Sequence, residues 1–135
     1  MSLDKKQIIN KLKNFPIDST AYYLIMGSAL VMYGIKENTN DIDVGCISKA
    51  FDSLINNGFK AVKSRSGLDK IVFSQEINIY REWKIDYVLY LEGIPVADLK
   101  TIMEDKIRFG RPKDSEDIKK IIGFIKTRHR NGESD

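Results

Sequence analysis

The chain has 135 residues, a length that suits one domain with one core and is too short for two. Hydrophobic residues make up 42% and charged residues 30% of it, and this balance is typical of a globular protein and excludes a disordered chain. The formal net charge of +3 permits an anionic ligand but is too small to indicate nucleic-acid binding by itself.

The N-terminal third of the chain carries clear helix and strand patterns. It has no signal-peptide pattern, and no run anywhere in the chain approaches the roughly 18 apolar residues of a membrane span, so we expect a cytoplasmic protein. Apolar residues at helical spacing predict a helix over 4–12, with Asp4 as its N-cap. The aromatic and β-branched segment 20–26 predicts a buried strand. A short helix over 28–33 follows, and Gly34 is suited to end it in the left-handed conformation.

A second strand opens with two carboxylates. Along it, one face carries the apolar side chains and the other carries both acids and a glycine, in the two sets Ile42, Val44, Cys46 and Asp41, Asp43, Gly45. Cys46 is the only cysteine, so it cannot form an internal disulfide, and its place in the apolar set predicts a small buried side chain.

The remainder predicts a single mixed domain over residues 1–135. After a helix over 48–56 we expect an antiparallel meander of three strands, over 59–63, 70–74 and 77–80. An alternating strand over 84–91 carries Asp86. Two helices follow, over 98–109 and 115–127, and then a frayed tail over 128–135. The fold class is therefore α/β in the α+β sense, with a mixed twisted sheet of about five strands flanked by helices. Two of those helices are C-terminal.

Asp41 and Asp43 form the first candidate site. Residues i and i+2 of a strand project to the same side, roughly 6.6 to 6.8 Å apart along the chain, so both carboxylates can reach one divalent cation or two neighbouring ones. A hard cation such as Mg²⁺ binds carboxylate oxygens together with substrate phosphates, and its charge offsets the repulsion between the acids. Paired acids also occur on solvated strand faces, so the pair alone does not decide between these interpretations.

Gly27 and Ser28 form the second candidate site. They stand where a strand ends and a helix begins, and there backbone amides and a hydroxyl favour phosphate binding. A plain tight turn with Ser28 as a helix cap has the same pattern, and the pair by itself does not exclude it.

Taken in order, these residues resemble a known superfamily. The pattern is an apolar residue with Gly and Ser, a gap of twelve residues, two acids separated by one residue, and a third acid on a later strand: Met26-Gly27-Ser28, Asp41-Ile42-Asp43 and Asp86. This order is similar to that of the nucleotidyltransferase superfamily that includes polymerase β. The segment 98–117 resembles that of small bacterial members, including lincosamide-type antibiotic nucleotidyltransferases and toxin-associated ones.

The resemblance implies an enzyme that moves a nucleoside monophosphate from a triphosphate such as ATP to a hydroxyl acceptor and releases pyrophosphate. The acceptor class stays open among small molecules, proteins and RNA. The implied cofactor is Mg²⁺ or Mn²⁺, held by Asp41, Asp43 and Asp86, of which Asp86 also helps to activate the acceptor hydroxyl. The implied nucleotide-binding residues are Gly27, Ser28, Lys106, Arg111 and Lys113.

Lys106 interrupts the apolar stripe of the predicted helix 98–109. By itself the pattern fits equally a lysine that reaches the helix edge and a lysine whose charge meets phosphate or carboxylate. The resemblance favours the second interpretation, and it extends to Arg111 just before the last helix. Asp114 and Asp117 suit the start and capping of that helix better than a catalytic role.

Two noncatalytic hypotheses stand beside the enzyme. One is a binding or regulatory module on the same fold, such as the antitoxin half of a toxin-antitoxin pair, with a partner protein or a homo-oligomer. The other is a nucleic-acid-binding domain without chemistry, which the modest net charge disfavours. The sequence does not separate packing from ligand contact for Trp83, Tyr80, Tyr90 and His129.

Overall fold

A seven-stranded mixed sheet forms the centre of the protein. The computed structural model describes residues 2–130. The strands are β1 Tyr22–Ile25, β2 Ile42–Cys46, β3 Ala61–Lys63, β4 Asp69–Val72, β5 Ile77–Arg81, β6 Val88–Leu91 and β7 Ile94–Ala97. The helices are α1 Lys5–Leu12, α2 Met26–Tyr33, α3 Ser48–Asn56, α4 Leu99–Phe109 and α5 Pro112–Arg130. The predicted α+β class and the C-terminal helix pair are confirmed, but the sheet has seven strands where about five were predicted.

The predicted helix ends are set by local chemistry. The Asp4 carboxylate accepts a hydrogen bond from the Gln7 N–H at 2.9 Å, and the Gln7 side chain accepts one from the Asp4 N–H at 2.9 Å, which together make a capping box at the start of α1. Gly34 ends α2 with a φ of 81°, a conformation that costs glycine little. Both of these predictions are confirmed.

The strand β2 lies at the centre of the sheet, whose order is β3-β4-β5-β2-β1-β7-β6. It runs antiparallel to β1, with Ile25 opposite Asp43, and parallel to β5, with Asn78 opposite Asp43. The β3-β4-β5 meander is antiparallel, as predicted. The register places the end of β1 beside the start of β2, so the residues that follow Ile25 lie close to the paired acids.

The apolar face of β2 packs into the core as its alternation predicts. Ile42, Val44 and Cys46 are fully buried. Burial raises the pKa of the Cys46 thiol to about 12, so the side chain is a neutral packing group at physiological pH. The opposite face of β2 is therefore left to the acids and to Gly45.

The predicted strand 84–91 is wrong in its first half. Only Val88–Leu91 pairs in the sheet, and Asp86 lies in a bend before it. The N–H groups of Asp86 and Tyr87 donate to the Asp98 carboxylate at 3.0 and 3.2 Å instead of to a neighbouring strand. Asp98 caps α4 as well, so one buried carboxylate satisfies donors of the bend and of the helix.

The strand β7 was missed because nothing in it alternates. It pairs with β1 on one side and β6 on the other, and all four of its residues are buried, so it reads as a short apolar run containing Pro95. The turn before it is built on Glu92 and Gly93, with φ values of 51° and 79°. At this position the sequence predicts only a turn over 92–95, so the hairpin is a correction.

The last helix is longer than predicted. α5 begins at Pro112, three residues before the expected start, because proline is well suited to the first helical position. It continues to Arg130, three residues beyond the predicted end, while 131–135 lie outside the described residues, so the fraying of the tail stays a prediction. Within residues 2–130 no helix combines the length and apolarity needed to cross a bilayer.

Gly45→Ala should destabilise the fold by about 2 kcal/mol, because a Cβ at Gly45 would overlap the Tyr23 ring and Cβ of Trp83 and overpack the space between them. Such an atom would lie 2.3 Å from Cε2 of Tyr23 and 2.9 Å from Cβ of Trp83. Tyr23 cannot move freely, since its hydroxyl donates to the Trp83 carbonyl. Urea denaturation of Gly45→Ala and of the control Gly123→Ala, whose Cβ meets nothing within 4 Å, checks this. Equal midpoints would contradict it.

Candidate active site

A cleft of about 800 Å³ opens on the face of the sheet that carries the acids. Its floor is formed by facing side chains of four adjacent strands, and its walls come from the loop before β2, the β3-β4 turn and the junction of α4 with α5. Six of the eight predicted site residues line it: Gly27, Asp41, Asp43, Lys106, Arg111 and Lys113. Ser28 and Asp86 do not.

The β1-β2 register explains why the glycine approaches the acids. Ile25 lies opposite Asp43, so α2 begins beside the first residues of β2. Met26 makes the turn into α2 with a φ of 57°, which is uncommon for a residue with a side chain. A Cβ on Gly27 would lie 3.0 Å from Oγ1 of Thr39, so glycine allows the loop before β2 to approach the start of α2.

The N-terminus of α2 is left open toward the cleft. Ile25 stands at the N-cap position, and among the described residues no side chain caps the helix. The first N–H groups of a helix lack intrahelical acceptors and carry partial positive charge, so they are suited to bind an anion. Gly27 brings this end of the helix to the cleft without a side chain in the way.

Ser28 has a different place from the one predicted. It is fully buried, and its hydroxyl accepts from the Asp43 N–H at 3.2 Å and donates to the Ile25 carbonyl at 2.9 Å. The hydroxyl is therefore engaged with the backbone and does not face the cleft. What Ser28 does is join α2 to β2 and fix the position of Asp43.

Asp43 is the more buried of the two paired acids. Burial raises the pKa of its carboxyl, and the neighbouring Asp41 carboxylate adds to this effect. The Asn78 side chain, which donates to Asp43 Oδ1 at 3.3 Å, acts in the opposite direction, as do the charges of Lys70 and Lys106. An ionised Asp43 thus carries a cost in the folded protein that a bound cation would offset.

The donor set suits a hard divalent cation shared with a ligand. Asp41 and Asp43 supply two carboxylates, and Mg²⁺ is commonly held by one or two carboxylates together with substrate phosphates. Among residues 2–130, no group of three or more His, Cys, Asp or Glu side chains could hold a metal ion. The strand beside Asp43 presents an amide, Asn78, opposite this carboxylate.

Asp86 does not join this site. It precedes β6, at the edge of the sheet and three strands away from β2, and lines a separate pocket. Its carboxylate lies 3.8 Å from Nζ of Lys100 and is half-exposed. The predicted three-carboxylate metal site is therefore not assembled, because the chain around β6 lies at the edge of the sheet, three strands from the paired acids.

Lys106 lies on the cleft wall and is almost fully buried. Its Nζ is 2.9 Å from Asp117 Oδ2 and 3.3 Å from Asp114 Oδ1, and Asp117 also receives Nζ of Lys36 at 3.4 Å. A buried ammonium requires such partners. Asp117 therefore connects the loop before β2 with both C-terminal helices and does not cap α5.

Arg111 forms the corner between α4 and α5. Its guanidinium donates to both oxygens of Asp114, at 2.6 and 3.0 Å, and its backbone N–H donates to the same carboxylate at 3.1 Å. Burial raises the pKa of Asp114, but the bonds from Arg111 and the charge of Lys106 outweigh burial and hold that pKa at about 2. The expected role of Asp114 at the helix start is thus confirmed.

Aromatic side chains close one end of the cleft. Trp83 is buried, donates from Nε1 to Asp105 at 2.9 Å, and packs against Tyr80 and Phe109 with ring centroids 5.1 and 6.2 Å away. Tyr80 is half-buried and faces the cleft beside Asn78. Tyr90 is exposed on β6, away from the cleft.

The sequence interpretation missed the contribution of the β3-β4 hairpin. Across the strands the registers align Val62 with Lys70, Lys70 with Tyr80 and Asn78 with Asp43, so one sheet face carries all of them. The turn between the strands adds further cations to the wall, and the missed residues are Lys63, Arg65, Lys70 and Asn78. Alternation in the meander was the available signal for Lys70 and Asn78.

Comparison with known proteins supports the fold. The crystal structure of a candidate nucleotidyltransferase from Thermotoga maritima aligns with a TM-score of 0.53 over 87% of this chain and 89% of that one, at 16% sequence identity. The two chains share a fold. At this identity the comparison does not extend to substrates or to the lincosamide-type and toxin-associated groups.

Sequence comparison gives no family assignment. No protein-family profile matches the chain. The argininosuccinate synthase of Methanosarcina acetivorans is 36% identical over 76 residues, which are 56% of this chain. The match spans only 18% of that synthase, so the chain is similar to a short part of it.

Proposed function

We propose that the protein is a metal-dependent nucleotidyltransferase that moves a nucleoside monophosphate from a triphosphate to a hydroxyl acceptor and releases pyrophosphate. The observation that carries the proposal is the β1-β2 register, which brings the open N-terminus of α2 close to Asp43 of β2 and to Asp41 just before it, in one cationic cleft. The shared fold is consistent with this class of reaction.

The residues divide into three roles. Asp41 and Asp43 would hold Mg²⁺ or Mn²⁺, which when bound supplies charge neutralisation and polarisation at the phosphates. The N–H groups at Gly27 would bind phosphate oxygens, and Ser28 and Asn78 would fix Asp43. Lys106, Arg111 and Lys113 would neutralise the remaining negative charge of the triphosphate.

The transfer is an in-line displacement. The acceptor oxygen forms a bond to the α-phosphorus while the bond from that phosphorus to the α,β-bridging oxygen breaks, and pyrophosphate leaves with the electron pair. The hydroxyl proton passes to solvent in the open cleft or to Asp43, because Asp86 lies elsewhere. Holding both reactants in line is the main contribution that the cleft would make.

Calorimetric titration with ATP and the other nucleoside triphosphates tests the proposal. We expect at least one triphosphate to bind in the presence of Mg²⁺ or Mn²⁺ and to bind at least about tenfold more weakly in EDTA, since the cation held by Asp41 and Asp43 would neutralise phosphate charge. Asp86→Asn serves as a matched control and should bind as the native protein does. Absence of metal-dependent binding, or a large loss in Asp86→Asn, would contradict the proposed site.

A noncatalytic module on the same fold is the second candidate. It is favoured by the amide at Asn78, which leaves two carboxylates where the superfamily resemblance implied three. The two candidates differ in turnover. If triphosphate binds in the presence of metal but no pyrophosphate is released with any acceptor, and a partner protein co-purifies, the module is the better description.

A further inference from the structure

The cations of the cleft fall into two groups that come from different elements. Seven lining residues are Lys or Arg and three are Asp, so much of the net positive charge of the chain is concentrated here. One group comes from the loop before β2 and the α4-α5 junction, and consists of Lys36, Lys106, Arg111 and Lys113. The other comes from the β3-β4 hairpin and consists of Lys63, Arg65 and Lys70.

The two groups differ in how their charge is neutralised. At the helix junction, Asp114 and Asp117 already pair with Lys36, Lys106 and Arg111, so that within residues 2–130 only Lys113 of this group has no carboxylate partner. On the hairpin only Lys63 has a carboxylate partner, Asp69 at 2.9 Å. Within the described chain Arg65 and Lys70 have none. Among the described residues, these two cations therefore face the cleft without a carboxylate in ion-pair contact.

Lys70 extends the positive charge of the hairpin toward the paired acids. Lys70 is half-buried on β4, and its Nζ lies 5.7 Å from the Tyr80 ring centroid. β4 is two strands from β2, about 9.6 Å along the sheet, so an extended lysine side chain reaches the space in front of the acids.

Arg65 stands at the hairpin tip, where the turn is ordered by its own hydrogen bonds. Ser64 accepts from the Gly67 N–H at 3.0 Å through its carbonyl, and its N–H donates to the Leu68 carbonyl at 2.9 Å. Arg65 and Ser66 line both the cleft and the neighbouring pocket of about 580 Å³. A ligand that extends from the acids past the aromatic wall would meet this guanidinium.

We infer that the β3-β4 hairpin binds the acceptor and that the acceptor carries phosphate close to its reacting hydroxyl. This inference rests on the proposed function, in which the helix-junction group binds the triphosphate. A polyphosphate with its cation needs one set of positive groups, and the unpaired set on the facing wall matches a second anion. A nucleic-acid 3′ end and a small sugar phosphate share this chemistry.

The test uses a double variant that combines Arg65→Gln and Lys70→Gln. Its control is Lys60→Gln, because Lys60 is an exposed lysine beside β3 that does not line the cleft. The probes are a fluorescein-labelled ten-nucleotide single-stranded RNA with a free 3′ hydroxyl, followed by anisotropy, and ribose 5-phosphate, followed by calorimetry. Mg-ATP is titrated into each protein by calorimetry. Thermal unfolding verifies that all three proteins are folded.

We expect the native protein and the control to bind the RNA and the double variant to bind it at least about tenfold more weakly, with a salt slope smaller by about 1.4 for two lost phosphate contacts. Mg-ATP affinity should fall by much less than RNA affinity. RNA binding identifies a nucleic-acid end. Hairpin-dependent binding of ribose 5-phosphate alone identifies a small phosphorylated acceptor.

The remaining outcomes overturn the inference. The inference is wrong if the native protein binds neither the RNA nor ribose 5-phosphate. It is also wrong if the double variant binds the RNA as tightly as the native protein does. If affinity for Mg-ATP falls together with affinity for RNA, then Arg65 and Lys70 belong to the triphosphate site. Failure of native Mg-ATP binding contradicts the proposed function separately, while the RNA comparison still decides the role of the hairpin.

Discussion

Replacing Asp43 with asparagine should weaken Mg-ATP binding by about a hundredfold or more and stabilise the ligand-free protein by about 1 kcal/mol. The loss arises because one of two carboxylates offered to the cation disappears. The gain arises because the ionised side chain is disfavoured by its burial and by Asp41, whereas an amide of the same shape is not.

The same variant should change how stability depends on pH. The pKa of Asp43 is raised in the folded protein, so the native state binds more protons than the unfolded state above about pH 4. The free energy of unfolding of the native protein therefore falls as the pH rises through the raised pKa. In Asp43→Asn this decrease should be absent.

Urea denaturation across that pH range, together with calorimetry at neutral pH, measures both effects. Asp52→Asn is a suitable control for stability, because Asp52 is exposed, pairs with Arg81 at 2.8 Å and lies outside the cleft. An Asp43→Asn protein that binds Mg-ATP as well as the native one would show that Asp43 does not hold the cation.

Replacing Asp114 with asparagine should lower the free energy of unfolding by about 3 kcal/mol. The carboxylate is fully buried, receives three hydrogen bonds from Arg111, and lies 3.3 Å from Nζ of Lys106. Asparagine cannot accept all of these bonds and leaves the Lys106 ammonium with one carboxylate, Asp117, in a nearly buried position.

Chemical denaturation of Asp114→Asn against Glu116→Gln measures this difference. Glu116 lies two residues further along α5, is exposed and pairs weakly with Lys119 at 3.6 Å, so its replacement should change stability by under about 0.5 kcal/mol. Because the folded pKa of Asp114 is about 2, the stability it contributes is present above about pH 4 and is lost as the pH falls toward 2. A loss below 1 kcal/mol at neutral pH would contradict this account.

The centre of the fold could be predicted because its signals are local. Asp4, Gly34 and the alternation of 41–46 each act on neighbouring backbone, so their effect is visible in a short window of sequence. The proximity of Gly27 to the acids follows from a single antiparallel pairing between β1 and β2. That pairing needs only the helix and loop between them.

Asp86 shows where sequence patterns fail. Its segment alternates as a strand does, but its backbone donors are taken by Asp98, a residue twelve positions further along the chain. Whether the N–H groups around Asp86 donate to a neighbouring strand or to the Asp98 side chain depends on where α4 begins. The alternation of apolar residues in the sequence carries no information on that position. Asp86 is absent from the site for a further reason, since β6 lies at the edge of the sheet, three strands from β2.

Lys106 and the hairpin show the limit of charge arguments. The break in the apolar stripe correctly marked Lys106 as unusual, but its partners, Asp114 and Asp117, had been interpreted as helix-start residues. Lys70 was not predicted, because the net charge is a sum over the whole chain and does not show where charges lie. In the fold, cations from three separate segments line the cleft.

The central place of β2 divides the site into parts of unequal local stability. Asp43 lies on a strand that is paired with β1 on one side and with β5 on the other. Such a central strand loses its hydrogen bonds only when the whole domain unfolds. The cationic walls belong to a turn, a loop and a helix junction, which can open or change sequence at lower cost. Ligand preference can therefore diverge among relatives of this chain while the carboxylates keep their geometry.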